Sequence, residues 1–253
     1  MGLAYELEET AAGVFARARI LGLKRLNLVD EAVLTRASEE FAALLEQHPE
    51  VRCVTVRGQS QQAFVGGADL KKLAALREDT AEPFIQSVHG LCDAFRLARV
   101  PVIAVMQGYC LGAGLEIAAA CDIRIGDRSV KTGMPEVRVG VPSVVEAALI
   151  PGLIGWGKAN ELLLRGHIID AEESFAIGIL QHLVDETALG ATELEIIGDI
   201  VAGAPCALAA QKRLHARWQD SSMTEAIAAG VVAFRESYRT REPADYTARF
   251  FKK

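Results

Sequence analysis

Between Val100 and Cys121 the chain carries a single charged residue, Glu116, in the run VPVIAVMQGYCLGAGLEIAAAC. A stretch that apolar has to be buried, and its punctuation decides how. Pro101, Gln107, Gly108, Gly112 and Gly114 break it up, and a glutamate inside a lipid bilayer would be costly, so a membrane-crossing helix is a poor reading. A buried strand over Pro101–Met106, a glycine-punctuated turn and a small-residue helix opening near Gly112 fit it better. Glu116 then falls one turn into that helix, among Leu115, Ile117 and Ala118–Ala120. A carboxylate in such company is expensive to desolvate, which marks it as a candidate functional group. Glu136, beyond a short strand and loop, is the second candidate, facing Glu116 across a substrate.

The flanking segments supply the rhythm of an α/β fold. An opening hairpin is expected from Tyr5–Leu7 and Gly13–Ile20 around a Thr-Ala-Ala-Gly turn. Asp30 reads as the N-cap of a helix that runs to about His48 and is ended by Pro49, and Val51–Arg57 reads as a strand. The double glycine Gly66-Gly67 precedes a helical stretch from Asp69 to Leu76, and Asp79–Arg99 forms a second helix. Strand, helix, strand, helix, strand implies parallel pairing. After Glu136 the periodicity predicts short helices over Val144–Ile150, Lys158–Leu164 and Ala171–Ile177, a small strand over Leu180–Val184, and helices over roughly 187–203, 206–218 and 222–240. The expected organisation is an α/β core over residues 1–190 and a helical carboxyl-terminal region over 191–253.

Charge and motif inventory narrow the function. With 51% hydrophobic residues, 24% charged residues and a net charge of −6, the chain suits a soluble protein and disfavours nucleic-acid binding, which needs clustered cations. The five cysteines form no C-x-x-C pair and read as reduced, buried thiols of a cytoplasmic protein. The acidic amino terminus lacks the layout of a signal peptide. The five histidines share no metal-ligand spacing, so no metal is expected. Gly112-x-Gly114 fails as a dinucleotide fingerprint because Ile117 occupies the third small position. What remains is two glycine-rich turns, Gly66-Gly67-Ala68 and Gly112-Ala113-Gly114, and two glutamates. Backbone N–H groups left unpaired at such turns suit an oxyanion, although each turn alone is better explained by tight geometry and close helix packing.

The segments AFVGGADLKKL, PVIAVMQGYCLGAGLEIAAACDIRI and GMPEVRVGVP together resemble the crotonase (enoyl-CoA hydratase/isomerase) superfamily. KRLNLVDEAV, VRCVTVRG and LLLRGHIIDAEESFAIGILQHLV extend the resemblance along most of the chain. It implies a crotonase-like spiral of ββα turns, with a carboxyl-terminal helical subdomain used in forming a homotrimer or a hexamer. It implies an acyl-CoA substrate, no nucleic-acid or membrane partner, and no cofactor, coenzyme A being part of the substrate. Matched motif to motif, the thioester oxygen would be held by the backbone N–H groups of Ala68 and Ala113, and the catalytic acids would be Glu116, holding and activating water, and Glu136, transferring a proton at Cα. Lys24, Gly67, Asp69, Leu70, Lys71 and Gly112 match substrate- and CoA-contacting segments, and Phe250–Lys253 resembles the family's tail.

One departure stands out. Many members carry a glycine-rich run where this chain has Ser143-Val144-Val145-Glu146-Ala147-Ala148. Glu146 reads either as a solvated residue at a repacked helix start or as a third acid that reshapes the chemistry. The expected activity is that of an enoyl-CoA hydratase, a lyase adding water to a trans-2-enoyl-CoA. Double-bond isomerisation, decarboxylation and a non-catalytic binding role are the alternatives.

Overall fold

Strands that are apolar on both faces need cover on both sides, and that requirement organises the chain. The computed structural model describes residues 2–251, so the lysines of the Phe250–Lys253 tail and the Phe250 side chain lie outside the described residues. β1 (Leu3–Thr10) and β2 (Gly13–Ile20) form the expected hairpin. Asp30 caps α1 (Glu31–Gln47), its Oδ1 accepting from the Val33 N–H at 3.0 Å. Three turns of strand, strand and helix follow. The first is β3 (Val51–Gly58), β4 (Ala63–Val65), α2 (Leu70–Ala74) and α3 (Glu78–Arg96). The second is β5 (Val102–Met106), β6 (Tyr109–Leu111) and α4 (Ala113–Ala120). The third is β7 (Ile123–Asp127), β8 (Lys131–Gly133), two 3₁₀ turns (Glu136–Val139 and Val145–Leu149) and α5 (Ile150–Arg165). Then come β9 (Ile168–Ile169), α6 (Ala171–Ala176), β10 (His182–Val184), α7 (Leu189–Ala202), α8 (Pro205–Gln219), α9 (Met223–Ser237) and α10 (Glu242–Thr247).

In each turn the first strand joins one sheet and the second joins another. The larger sheet has the order β1-β2-β3-β5-β7-β10 and is parallel from β2 onward; the smaller has the order β4-β6-β8-β9, with only β9 antiparallel. The result is the crotonase-type spiral that the motifs implied. Alternation along β5 sorts its side chains: Val102, Ala104 and Met106 face the core under α1, α3 and α4, while Ile103 and Val105 face the other side. There they meet Phe15, Cys53 and Ile125, covered by Leu189, Ile197 and Val201 of α7. No helix among the described residues is long and apolar enough to cross a membrane.

Several expectations are corrected. The short strand expected between Glu116 and Glu136 is β7 of the larger sheet; the small sheet was not anticipated, because strands of two or three residues show no periodicity. The segment expected as a helix at Val144–Ile150 is a 3₁₀ turn, and α5 starts earlier than Lys158, bending at Gly155, where φ is 74°. The helix expected over 222–240 ends at Ser237, and α10 is separate. Four cysteines are buried, whereas Cys206 is exposed.

The carboxyl-terminal helices are tied in by one ammonium group. Lys212 of α8, 5% exposed, donates to Phe95 O at 2.7 Å, Val100 O at 3.0 Å and Asp122 Oδ2 at 2.7 Å. Asp122 Oδ2 also accepts from the Val102 N–H at 2.7 Å, so the lysine joins the end of α3, the start of β5 and the α4–β7 turn. Removing it leaves two carbonyls without their donor and Asp122 with the Val102 N–H alone. Lys212→Ala is expected to cost about 3 kcal/mol, read from the shift of the urea unfolding midpoint against wild type.

Candidate active site

The site begins with close backbone approaches that only glycine allows. A Cβ on Gly114 would run into Val65 O, so the first turn of α4 lies directly on β4. Gly67, at φ 102°, faces Leu111 O, which a Cβ would meet at 3.1 Å. Gly112 has φ 53° and ψ −123°, and a Cβ there would collide with Glu136 Oε1. Each contact joins one of the two glycine-rich turns to the other or to an acid. The N–H groups of Ala68 and Ala113 border the same cavity, and among the described residues neither donates to a protein acceptor. Ala113 is the first residue of α4, so its free N–H also carries the positive end of the helix dipole.

Asp69 locks the first of these turns. Its N–H donates to Val29 O at 2.9 Å, its Oδ1 accepts from the Lys71 N–H at 2.9 Å, and its other oxygen is paired with Lys24. The hydrogen bond from the Lys24 ammonium holds the Asp69 carboxyl below its usual range. Lys24 and Asp69 thus support each other at the cavity rim, while Lys71 makes no ion pair among the described residues. Leu70 and Gly67 line the same wall.

Both glutamates reach the cavity. Glu116 is 3% exposed and its Oε1 accepts from the Ala147 N–H at 3.1 Å. Burial pushes its carboxyl up to about 8; the Glu136 carboxylate and, to a smaller extent, Glu146 add to the effect, and the Ala147 N–H opposes it. Glu136 opens a 3₁₀ turn and is half-buried. Burial raises it too, against the pull of its own N–H and of the Ser143 hydroxyl, which donates to Oε2 at 2.8 Å. Neither acid is neutralised by the arginines nearby in sequence. Arg124 donates to the carbonyls of Ile179, Ala118 and Cys121, and Arg138 to Arg165 O. The pair is built to hold a proton.

The cavity has a volume of about 940 Å³. Beyond the acids its wall is apolar, with Leu73, Leu76, Phe84, Ile85, Val88 and Val144 facing in; Arg77, Arg138 and Lys71 supply positive charge on its lining. The α3 face, Ser143 and the Ala147 N–H were not anticipated as site components. Phe84 and Val88 were read only as one apolar side of a helix, and nothing in sequence distinguishes a core face from a cavity wall.

Glu146 is not solvated. It is 4% exposed, its Oε1 lies 2.7 Å from His89 Nδ1 of α3, and its Oε2 has no partner among the described residues. The turn that aims it inward is strained at Val145, a β-branched residue at φ 40°, a conformation that costs roughly 1–3 kcal/mol.

A carboxyl held neutral by burial destabilises the fold as pH rises, because the unfolded chain releases its proton near 4.5 and the folded chain only near 8. Glu116→Gln is therefore expected to gain stability over wild type by a few kcal/mol on going from about pH 5 to about pH 9, measured by chemical unfolding at each pH.

Comparison with known proteins agrees with this architecture. The family model described as enoyl-CoA hydratase/isomerase matches residues 24–249. A short-chain-enoyl-CoA hydratase of Clostridium acetobutylicum is 31% identical over 231 residues, covering 91% of this chain and 88% of that protein. A crotonyl-CoA hydratase of Syntrophomonas wolfei is 28% identical over 91% of this chain and 88% of its own. The crystal structure of an enoyl-CoA hydratase from Thermoplasma volcanium superimposes with a TM-score of 0.87 at 25% identity, covering 97% of this chain and 96% of that one. With a family model matching residues 24–249 and a relative 31% identical over 91% of its length, the chain belongs to the enoyl-CoA hydratase/isomerase family.

Proposed function

We propose that this protein is an enoyl-CoA hydratase that reversibly adds water to a trans-2-enoyl-CoA. The observation that carries the reading is the meeting of two protonatable glutamates with two unpaired backbone donors in a single apolar cavity. In the reaction the water oxygen bonds to Cβ, the π electrons move through Cα toward the thioester oxygen, and a proton is then placed on Cα. Negative charge that grows on the thioester oxygen is met by the Ala68 and Ala113 N–H groups, each such donor being worth roughly 3–4 kcal/mol in a transition state. An anion costs least beside a helix N-terminus, which is where Ala113 sits.

The glutamates act as a pair carrying one proton. Glu116 holds and activates the water, and Glu136 delivers the proton at Cα. In the empty cavity burial keeps a proton on Glu116, so this division of labour has the bridging water pass that proton to Glu136 as the substrate settles. Ser143 keeps Glu136 oriented by its hydrogen bond to Oε2. Lys71, with Lys24 at the rim, serves the coenzyme A phosphates; the apolar wall takes the acyl chain. Coenzyme A belongs to the substrate, and the reaction as written uses no further cofactor.

The same reading includes assembly into a homotrimer or a hexamer in the cytoplasm. In support, α9 carries an exposed stripe of Met223, Ile227, Val231, Phe234 and Tyr238, too large an apolar surface to leave in water. A monomeric sedimentation profile at micromolar concentration would remove the assembly from this reading.

The test is loss of conjugated-thioester absorbance with crotonyl-CoA and longer enoyl-CoAs. Glu116→Gln and Glu136→Gln are each expected to reduce kcat by roughly 10²–10⁴-fold. Ala113→Pro deletes a donor at a helix position that tolerates proline, after a glycine whose backbone is not α-helical, and is expected to lower kcat about 10²–10³-fold with the fold kept. Wild-type inactivity on every chain length sinks the hydratase reading. Full activity of Glu116→Gln replaces the two-acid mechanism with a single-acid one, as an isomerase would need.

A further inference from the structure

Beside Glu116, outside the lining of the substrate cavity, lies a second set of titratable groups that the hydration mechanism does not use. It centres on Glu146, which sits between the strained Val145 and the Ala147 whose N–H holds Glu116 Oε1 at 3.1 Å. His89 reaches across from α3 to Glu146 Oε1 at 2.7 Å, and its other nitrogen lies 3.4 Å from Asp93 Oδ2. The imidazole is thus bracketed by carboxylates, and its side chain is 41% exposed at the surface while Glu146 is enclosed.

We propose that Glu146, clamped by His89, is a positioning residue for the reaction: it anchors the turn that presents the Ala147 N–H to Glu116, and its charge sets how tightly Glu116 keeps its proton. This rests on the hydratase reading for its catalytic meaning, but its physical content concerns the free protein.

Three observations converge. A β-branched residue holds a left-handed conformation at Val145, so the packing around the turn outweighs its local preference. What that conformation secures is Val144 facing the substrate cavity and Glu146 facing inward. The buried carboxylate then has one strong partner, His89, and one oxygen, Oε2, without any among the described residues, an arrangement too costly for a merely space-filling residue. Finally, the charges facing it are few. His89 and Cys92 of α3 and Glu116 of α4 face it; around them, Asp93 and Arg96 act on His89, Cys121 on Cys92, and Glu136 of the preceding 3₁₀ turn on Glu116. On α5 the first titratable residue, Lys158, is engaged with Glu161 and Glu173 instead. His89 is the cation that touches Glu146, and the hydrogen bond between them raises the imidazole above its ordinary value. While His89 is protonated the pair is nearly neutral toward Glu116; once it loses its proton, an uncompensated carboxylate stands beside the catalytic one.

The test reads the Glu116 carboxyl directly, by ¹³C NMR titration of protein labelled in the glutamate carboxyls, with Glu116→Gln assigning the signal. Glu146→Gln removes a negative charge and keeps the shape, and is expected to move the Glu116 midpoint down by roughly half a unit or more. His89→Gln keeps a donor to Glu146 but removes the cation, so the last proton of the coupled carboxyls is expected to leave at higher pH, the opposite displacement. The pH dependence of kcat should shift in the same two directions, with KM within about twofold, because neither residue lines the cavity. A Glu116 midpoint unmoved in either folded variant overturns the proposal and leaves a structural ion pair. If Glu146→Gln does not fold, His89→Gln, at a half-exposed position, decides alone. The titration needs no turnover, so a wild-type protein without hydratase activity would end the functional reading and leave this one to the NMR result.

Discussion

The contact on which the site depends is the seating of α4 upon β4. Gly114 lets the helix come down until its backbone touches Val65 O, and Gly67 does the same from the other side against Leu111 O. These are approaches between main-chain atoms, so no side-chain adjustment can replace them. They bring the starts of two separate ββα turns together with their N–H groups unspent. Any residue larger than glycine at position 114 would lift the helix, and with it Ala113 and Glu116, away from Ala68. The spiral makes the two turns neighbours; the glycines make them a single cradle.

Burial does the remaining work. The helix that carries Glu116 has every residue buried, and among the described residues the acid is kept there with one protein hydrogen bond and no cation. A neighbouring arginine would have stabilised the fold and spoiled the acid, because it would have fixed the carboxylate in its charged form. Arg124 is close in sequence and buried, yet it spends its donors on the carbonyls that close α4 and on Ile179. The glutamates are thereby left to each other, to Ser143 and to the Ala147 N–H, and burial raises both carboxyls.

Much of this was legible in the chain. One charge in a long apolar run and two glycine-rich turns made Glu116, Glu136 and the turns candidates, and only the motif resemblance named Ala68 and Ala113 as donors and implied a single site. Long periodic helices and the strands flanking them were equally visible. The small sheet was not, since β8 and β9 have too few residues to alternate. Nor was the fate of Ser143-Val144-Val145-Glu146: propensity gives a helix there, whereas the strained 3₁₀ turn is held by His89 and Glu116, which come from distant segments. The α3 cavity wall was hidden for a related reason, as a face that packs against a protein core and one that borders a ligand cavity use the same residues.

The anchorage of α7 and α8 bears on how the molecule is made. All residues of the cavity have been synthesised once the chain passes Val144, but the outer face of the large sheet is covered by α7, through Leu189, Ile197 and Val201 with Ile196 and Ile200 beside them, and Lys212 of α8 bridges the junction of α3, β5 and the α4–β7 turn. During translation, a nascent chain with its cavity-lining segments already outside the ribosome still shows Ile103, Val105 and Ile125 to the solvent. The last quarter of the polypeptide therefore governs when the first three quarters become a finished enzyme, and a chain truncated before α7 presents a sticky sheet to chaperones instead of a smaller working protein.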